Sequence, residues 1–290
     1  MWKDSLCTGV EIIDTQHKEL FKKTEELMKA VNSTGADSKE KCISTVLFLK
    51  DYAVRHFKDE EAYQQSISYP DFPAHKKLHE KFIGTVLSHE KKMVESDFSD
   101  KDVKEFIGML VAWLLYHVAD SDQKVGKAAA AGADVVAAAP AVRTQSHSEI
   151  VANSICDVLN KMAGLNRQSM ARVKELADDP EGEITIEMTL EGDVSGYIAL
   201  AYPIPFIKNL ILEMMNFTPD DIYELEMSAL FETSGIIVDT ICQHIAKEKS
   251  IVCHASPPFV TERLDIHPDE RIALDTGIGF MEADIVINYN

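Results

Sequence analysis

No CxxC pair occurs among the five cysteines, Cys7, Cys42, Cys156, Cys242 and Cys253, and their number is odd. A disulfide framework and a zinc ribbon are therefore not expected, and reduced, buried thiols are. No apolar run approaches the ~18 residues that a membrane helix requires. The opening stretch MWKDSLCTGVEIIDTQHK lacks the basic segment, apolar core and cleavage site of a signal peptide. These two absences predict a cytoplasmic protein with no membrane partner. Positive charge is also short, at a net −19 over the chain. Residues 1–140 carry 19 Lys and Arg against 23 Asp and Glu, a net of −4, and residues 141–290 carry 10 against 25, a net of −15. Neither half offers the basic patch that phosphates need, which argues against nucleic acid. The acidic second half suits a lysine-bearing partner or serves solubility alone.

What is present fits a globular chain. Hydrophobic residues make up 46% and charged residues 27% of 290 positions, and that length predicts two domains. The alanine-rich stretch KAAAAGADVVAAAPAVRTQSHS, 127–148, has Gly132 and Pro140 and no clear apolar stripe, and reads as a tether. The expected division is a first domain over 1–126, a linker over 127–147 and a second domain over 148–290.

Helical spacing dominates the first domain. Asp14 or Thr15 is placed to cap a helix through QHKELFKKTEELMKAVN, and a second runs through SKEKCISTVLFLKDYAVRHFKDEEAYQQ. A third starts near Pro73, a favoured first-turn residue, and continues to about Glu95. Ser99 or Asp100 precedes a fourth, KDVKEFIGMLVAWLLYHVADS. Four helices with short loops predict an all-α, up-down-up-down four-helix bundle. The second domain reads differently. SEIVANSICDVLNKMAG is an amphipathic helix, and GEITIEMTLEGDVSGYIALAY alternates about EGD as a hairpin with strands near 183–191 and 194–202. Helices follow at about 204–216 and 219–248, then strands in SIVCHASPPFV, RIALDTGIGF and EADIVINY. This is an α/β (α+β) domain with an antiparallel sheet.

Six of ten histidines fall in the first 120 residues. The first helix has His17, the second His56 with Glu60 four later, the third His75 and His79, and the fourth His117 with acidic residues beyond it. His75 and His79 leave one face of their helix. By themselves they could be a surface pair or satisfied core residues. Against solvated faces, Leu20, Phe21, Tyr52, Leu78, Phe82, Trp113 and Leu114 share the histidines' helical spacing, which points those faces inward. Five imidazoles and two carboxylates in a bundle core without a metal would leave polar groups unpaired at ~1–3 kcal/mol each. They exceed one tetrahedral zinc site and suit two ions sharing carboxylates, with Glu60 and Asp122 as bridges. A donor set without thiolate fits iron, with zinc or manganese as substitutes. His89 lies outside the pattern and is expected at the surface. Trp113, one turn before His117, is expected to pack beside the site.

The stretches GVEIIDTQHKELF, HFKDEE, YPDFPAHKKLHEKF and WLLYHVADSD together resemble a bacterial hemerythrin over residues 1–126. The resemblance implies that His75, His79 and His117 hold one iron and His17 and His56 the other. Glu60 and Asp122 would bridge them together with an oxo or hydroxo group, and the second iron would keep an open position for dioxygen. Helix geometry alone favours Asp120, three residues after His117; the family spacing selects Asp122.

Residues 146–290 resemble a CheX-type chemotaxis phosphatase domain in the order of elements and in GDVSGYIALAYP and PPFV. Such domains dephosphorylate a CheY-like response regulator through a small or acidic residue, then Glu four positions further on, then Asn three positions after that, with a proline about 23 residues beyond. Here SALFETSGII supplies Ser228 and Glu232, and Pro258 falls in place, but Gly235 stands where the family has Asn. Glycine has no amide to position the attacking water, and Ser234 points about 100° away round the helix. Three readings stay open: a phosphatase using another group, a domain that binds a CheY-like regulator through Glu232 without hydrolysis, and a dimerisation scaffold. The resemblance also implies a homodimer. The fusion as a whole predicts an oxygen- or redox-responsive signalling protein, with an oxygen carrier or iron buffer and an oxygen-regulated phosphatase as alternatives.

Overall fold

The structure, a computed structural model, describes residues 1–31, 36–131, 145–163, 171–173, 182–217, 223–262 and 267–290. The chain divides into two compact units, Met1–Ala139 and Pro140–Asn290. Most of the expected linker, 132–144, lies outside the described residues. Among the described residues no helix is long and apolar enough to cross a membrane.

The first unit is built from α1 (Glu11–Val31), α2 (Ala36–Ser66), α3 (Phe72–Glu95), α4 (Asp100–Tyr116) and α5 (Gln123–Ala131). Helices α1 to α4 each pack on the next, and α4 packs back on α1, which closes a four-helix bundle. On α1 the buried residues Ile13, His17, Leu20, Phe21, Thr24, Leu27 and Met28 recur at three- and four-residue spacing. Asp14 does not cap this helix from outside. It sits one turn in, and its carboxylate reaches back to accept hydrogen bonds from the Thr8 and Gly9 backbone amides at 2.7 and 3.1 Å. Ser99 does cap α4, accepting from the Asp102 amide at 3.2 Å. Helix α5 continues the expected tether's first residues as helix, through Lys127–Ala131. Gly126 lets it lie on the N-terminal arm, where a side-chain carbon would stand 2.1 Å from the Thr8 carbonyl oxygen.

Two packing expectations fail. Leu78 is 39% exposed: it lies one residue, about 100°, away from His79, so it faces outward when the histidine faces in. His89 is half-buried against Phe106, at 5.9 Å between rings, rather than on the surface.

The second unit opens with α6 (His147–Ala163) and carries one antiparallel sheet. Its strands are β1 (Ala171–Val173), β2 (Glu183–Gly192), β3 (Val194–Pro203), β4 (Cys253–Ala255), β5 (Phe259–Thr261), β6 (Glu270–Asp275) and β7 (Phe280–Tyr289). The order is β1-β6-β7-β3-β2-β4, with β5 also on β2. Helices α7 (Ile204–Met215) and α8 (Glu224–Lys249) complete the unit. On the hairpin, Ile186, Met188, Leu200 and Ile198 alternate onto one buried face, and the pairs Ile186↔Leu200 and Met188↔Ile198 set the register.

The terminal strands divide differently from the sequence pattern. SIVCHASPPFV is two short strands on β2, separated by Ser256, Pro257 and Pro258, because consecutive prolines cannot donate to a ladder. RIALDTGIGF is not one strand. It breaks at Thr276–Gly279, where Gly277 and Gly279 have positive φ, and Phe280 opens β7. The helix expected from 219 starts at Glu224, and residues 218–222 lie outside the described set.

Candidate metal centre

Every one of the seven candidate ligands is buried: His17, Glu60, His79 and Asp122 show no exposure, His56 1%, and His75 and His117 3%. They converge in two overlapping groups. Glu60, His75, His79, His117 and Asp122 form one, and His17, His56 and Glu60 the other. Asp122 spans both, with Oδ2 3.1 Å from His17 Nε2 and Oδ1 3.1 Å from His117 Nε2 and 3.3 Å from His75 Nε2. Glu60 does the same from α2, with Oε2 3.6 Å from His56 and Oε1 3.1 Å from His75.

The backbone around His117 explains why Asp122 and not Asp120 takes part. Residues His117–Asp122 form a π-helical turn between α4 and α5. In a regular helix a residue five further on lies about 140° round from His117. The wider turn brings it back to the same face, as π-bulges at functional sites do. Asp120 instead pairs with Lys124 at 2.6 Å.

The donors are arranged for a cation rather than for one another. Nε2 of His79 lies 3.1 Å from Nε2 of both His75 and His117, and the Nε2 atoms of His17 and His56 are 3.2 Å apart. Each such contact can share at most one proton, so lone pairs face one another unless a cation sits between them. The carboxylate contacts are close but misaligned, so both Asp122 oxygens and Glu60 Oε2 have no hydrogen-bond donor. Unpaired oxygens at full burial are costly unless an ion completes them.

Neighbours that the sequence reading missed set the protons. His56 Nδ1 lies 2.9 Å from Gln16 Oε1, and Gln16 donates in turn to Asp59 at 2.8 Å. His79 Nδ1 lies 3.2 Å from Glu61 Oε1. A proton on each Nδ1 leaves the Nε2 lone pairs pointing inward, the usual role of such partners. Gln64 donates to Glu60 Oε1 at 2.7 Å and orients it. Adjacency to a candidate ligand, as in Gln16–His17 and Glu60–Glu61, was the available signal. Replacing Gln16 by leucine should weaken metal binding about 10–100-fold, read by chelator competition, while helix content by circular dichroism stays unchanged.

The charges follow from burial and proximity. Burial and the neighbouring His17 push His56 down to about 3, and burial lowers His117 as well. Burial opposes charge on His75, but the Asp122 and Glu60 carboxylates outweigh it and raise it to about 9. Burial and the Asp122 charge push Glu60 upward, yet the imidazoles of His75 and His79 prevail and hold it at about 2. Burial opposes ionisation of Asp122 too, and the imidazoles of His117, His17 and His75 hold it well below the usual carboxylate range. Two ionised carboxylates and imidazoles, of which His75 must give up a proton before its Nε2 can donate a lone pair, are the donor set of a hard-to-borderline divalent ion. Aromatic rings wall the site. Phe57 stacks on His79 at 4.0 Å and Trp113 on His117 at 4.2 Å.

In the second unit Ser228 and Glu232 lie on α8 one turn apart, with Gly235 a further three residues on. A side chain at Gly235 would meet nothing within 4 Å. Ser234 is fully buried and hydrogen-bonds Tyr202 at 2.9 Å and the Leu230 carbonyl at 2.8 Å, so it faces the core.

Residues 8–129 match the family model for the hemerythrin HHE cation binding domain. Bacteriohemerythrin of Clostridium acetobutylicum is 35% identical over 127 residues, which cover 43% of this chain and 96% of that protein. Myohemerythrin of Theromyzon tessulatum is 32% identical over 123 residues, 42% of this chain and 88% of that protein. Among solved structures, the CheX-CheY-BeF3-Mg+2 complex from Borrelia burgdorferi aligns over 49% of this chain and 98% of that one, at 18% identity and a TM-score of 0.40. Chemotaxis protein CheX from Vibrio vulnificus aligns over 51% and 100%, at 13% identity and a TM-score of 0.43.

Proposed function

This chain belongs to the hemerythrin family through its first unit, and on that premise we propose that it is a dioxygen-responsive protein with two non-haem irons. His75, His79 and His117 would hold one ion and His17 and His56 the other, with Glu60 and Asp122 shared. The observation that carries this reading is the convergence of seven buried donors whose nitrogens crowd one another and whose carboxylate oxygens lack partners. Iron so held would supply reversible binding of dioxygen with electron transfer.

The chain's own residues do the rest. The two-histidine side offers fewer protein donors, so an ion held there would keep a ligand position open. Gln16 and Glu61 keep the Nδ1 protons of His56 and His79 and aim the Nε2 lone pairs. Phe57, Trp113 and Leu20 exclude water, which slows loss of the bound state by hydration. Helix α5 follows directly from Asp122, so a change at the shared carboxylate acts on the segment that leads out of the bundle. The second unit, read from Ser228, Glu232 and Pro258, would serve as output by binding a CheY-like response regulator or by pairing with a second copy.

Loading the full chain with ferrous iron without air, then admitting air, tests the first part. Two irons per chain by elemental analysis and new near-ultraviolet and visible charge-transfer bands are expected; absence of the oxygen-dependent bands removes the reading. Capture of a phosphorylated regulator by the wild type and not by Glu232→Ala separates a signalling protein from an oxygen carrier.

A further inference from the structure

Helix α2 carries large or functional core residues in regular succession: Val46, Leu49, His56, Phe57, Glu60 and Gln64, all buried. Ala53 occupies the core position between Leu49 and His56, and it is half-exposed. A small residue where the bundle needs a large one leaves unfilled space. That space is visible from both sides of the helix pair. Inside, a narrow cavity of about 20 Å³ reaches the two histidines His56 and His117 and is walled mostly by apolar side chains such as Leu20, Leu110 and Trp113, together with Lys50 and with Thr24, whose hydroxyl donates to the Leu20 carbonyl. Outside, a cleft of about 420 Å³ lies between α2 and α3, against Val54, Ile83 and Leu87. The inner cavity and the outer cleft share the walls Lys50, Ala53, Phe82 and Val86. The Lys50–Glu90 ion pair joins the two helices at this wall with 2.6 Å between nitrogen and oxygen.

We propose that uncharged diatomic gas reaches the metal cluster sideways, through the gap between α2 and α3 at Ala53, and that Ala53 sets the size of what passes. The proposal rests on the reading of the cluster as a dioxygen site. A space of this size holds one small molecule, since a single water already needs ~10–15 Å³. Its apolar lining offers nothing to a hydrated ion, whose transfer from water is opposed by many kcal/mol. Lys50 presents its hydrocarbon stem to the cavity and keeps its ammonium on Glu90 at the rim, so the mouth is held at fixed width by a charge pair while the throat stays apolar.

Trp113 lines the inner cavity and reports arrivals without any metal. The test is collisional quenching of its fluorescence by dissolved dioxygen and by iodide, in the metal-free full chain with Trp2→Phe as background. Dioxygen is expected to quench and iodide not. In Ala53→Phe, which plugs the throat, the dioxygen quenching constant should fall at least threefold. Ile83→Phe narrows the outer cleft and touches no core position, so it should show a decrease as well and decides the matter if Ala53→Phe does not fold. Equal dioxygen quenching in the background and in the folded variants would overturn the route. The two readings fail separately: a quenching loss without oxygen-dependent bands in the iron-loaded protein leaves the passage standing and removes the dioxygen site, and the converse removes only the passage.

Discussion

Replacing Asp122 with asparagine should weaken ferrous iron binding by at least 100-fold, a loss of about 2.7 kcal/mol, while Asp120→Asn should change it less than threefold. Partners that only orient ligands are worth about 10–100-fold. Asp122 stands within 3.1–3.3 Å of three imidazoles from both ligand groups, so its removal must exceed that range. The amide keeps the shape of the side chain and removes its negative charge and one acceptor. Thermal unfolding reports the same difference. With free metal at 100 times the wild-type dissociation constant, binding stabilises the native bundle by about 2.7 kcal/mol; with affinity lowered 100-fold the gain falls to about 0.4 kcal/mol. For a bundle of this length the difference is about 10 °C in Tm. Equal effects of the two substitutions would show that the π turn does not select the ligand.

Gly235→Asn should make the second unit speed the dephosphorylation, by about tenfold or more, of a phosphorylated CheY-like protein. The position is on α8, three residues after Glu232 and on the same side of the helix. Space is available, because a carbon added at Gly235 meets no atom within 4 Å. The helix itself loses nothing, since glycine is the poorer helix former of the two. An amide there could hold a water in line for attack, and positioning supplies most of the rate in this chemistry. Ser234 cannot substitute, as its hydroxyl is committed to Tyr202 and the Leu230 carbonyl. The measurement is the lifetime of the phosphorylated regulator with wild type, Gly235→Asn and the double variant Glu232→Ala/Gly235→Asn. An unchanged lifetime with Gly235→Asn would refute a phosphatase-type geometry on α8.

The bundle was legible because its signals are local: caps, helical spacing and the pairs His75–His79 and His56–Glu60, each four apart, all lie within one or two turns of chain. The convergence of His17, His56, His75, His79 and His117 follows once four such helices close on one another. Asp122 was not derivable from helical geometry, which selects Asp120, since nothing in HVADSD announces a wider turn. Gln16 and Glu61 were missed because their role depends on tertiary distance rather than on spacing. Leu78 was assigned inward by proximity to two histidines, yet one residue of rotation is enough to expose it. In the second unit the long hairpin stood out by alternation, whereas the terminal strands were misdivided at Ser256–Pro258 and Thr276–Gly279, where turn residues interrupt an otherwise apolar pattern. The void at Ala53 belongs to no motif: it is a size mismatch, apparent only against its neighbours.

The turn at His117–Asp122 has a second effect, on phase. It inserts one residue without disturbing α4 before it, so every residue after it is rotated relative to the register that α4 would have dictated. Deleting a single residue inside the turn would close it to a regular helix, leave Asp122 four residues after His117, and keep Gly126 against the Thr8 carbonyl. Inserting a further residue there, with no second wide turn to absorb it, would swing α5 by about 100°. Val125 would then arrive where Gly126 meets the Thr8 carbonyl, a contact with no room for even one added carbon. The turn is thus slack already taken up: this segment can be shortened by one residue and keep both joints, and cannot be lengthened without breaking them.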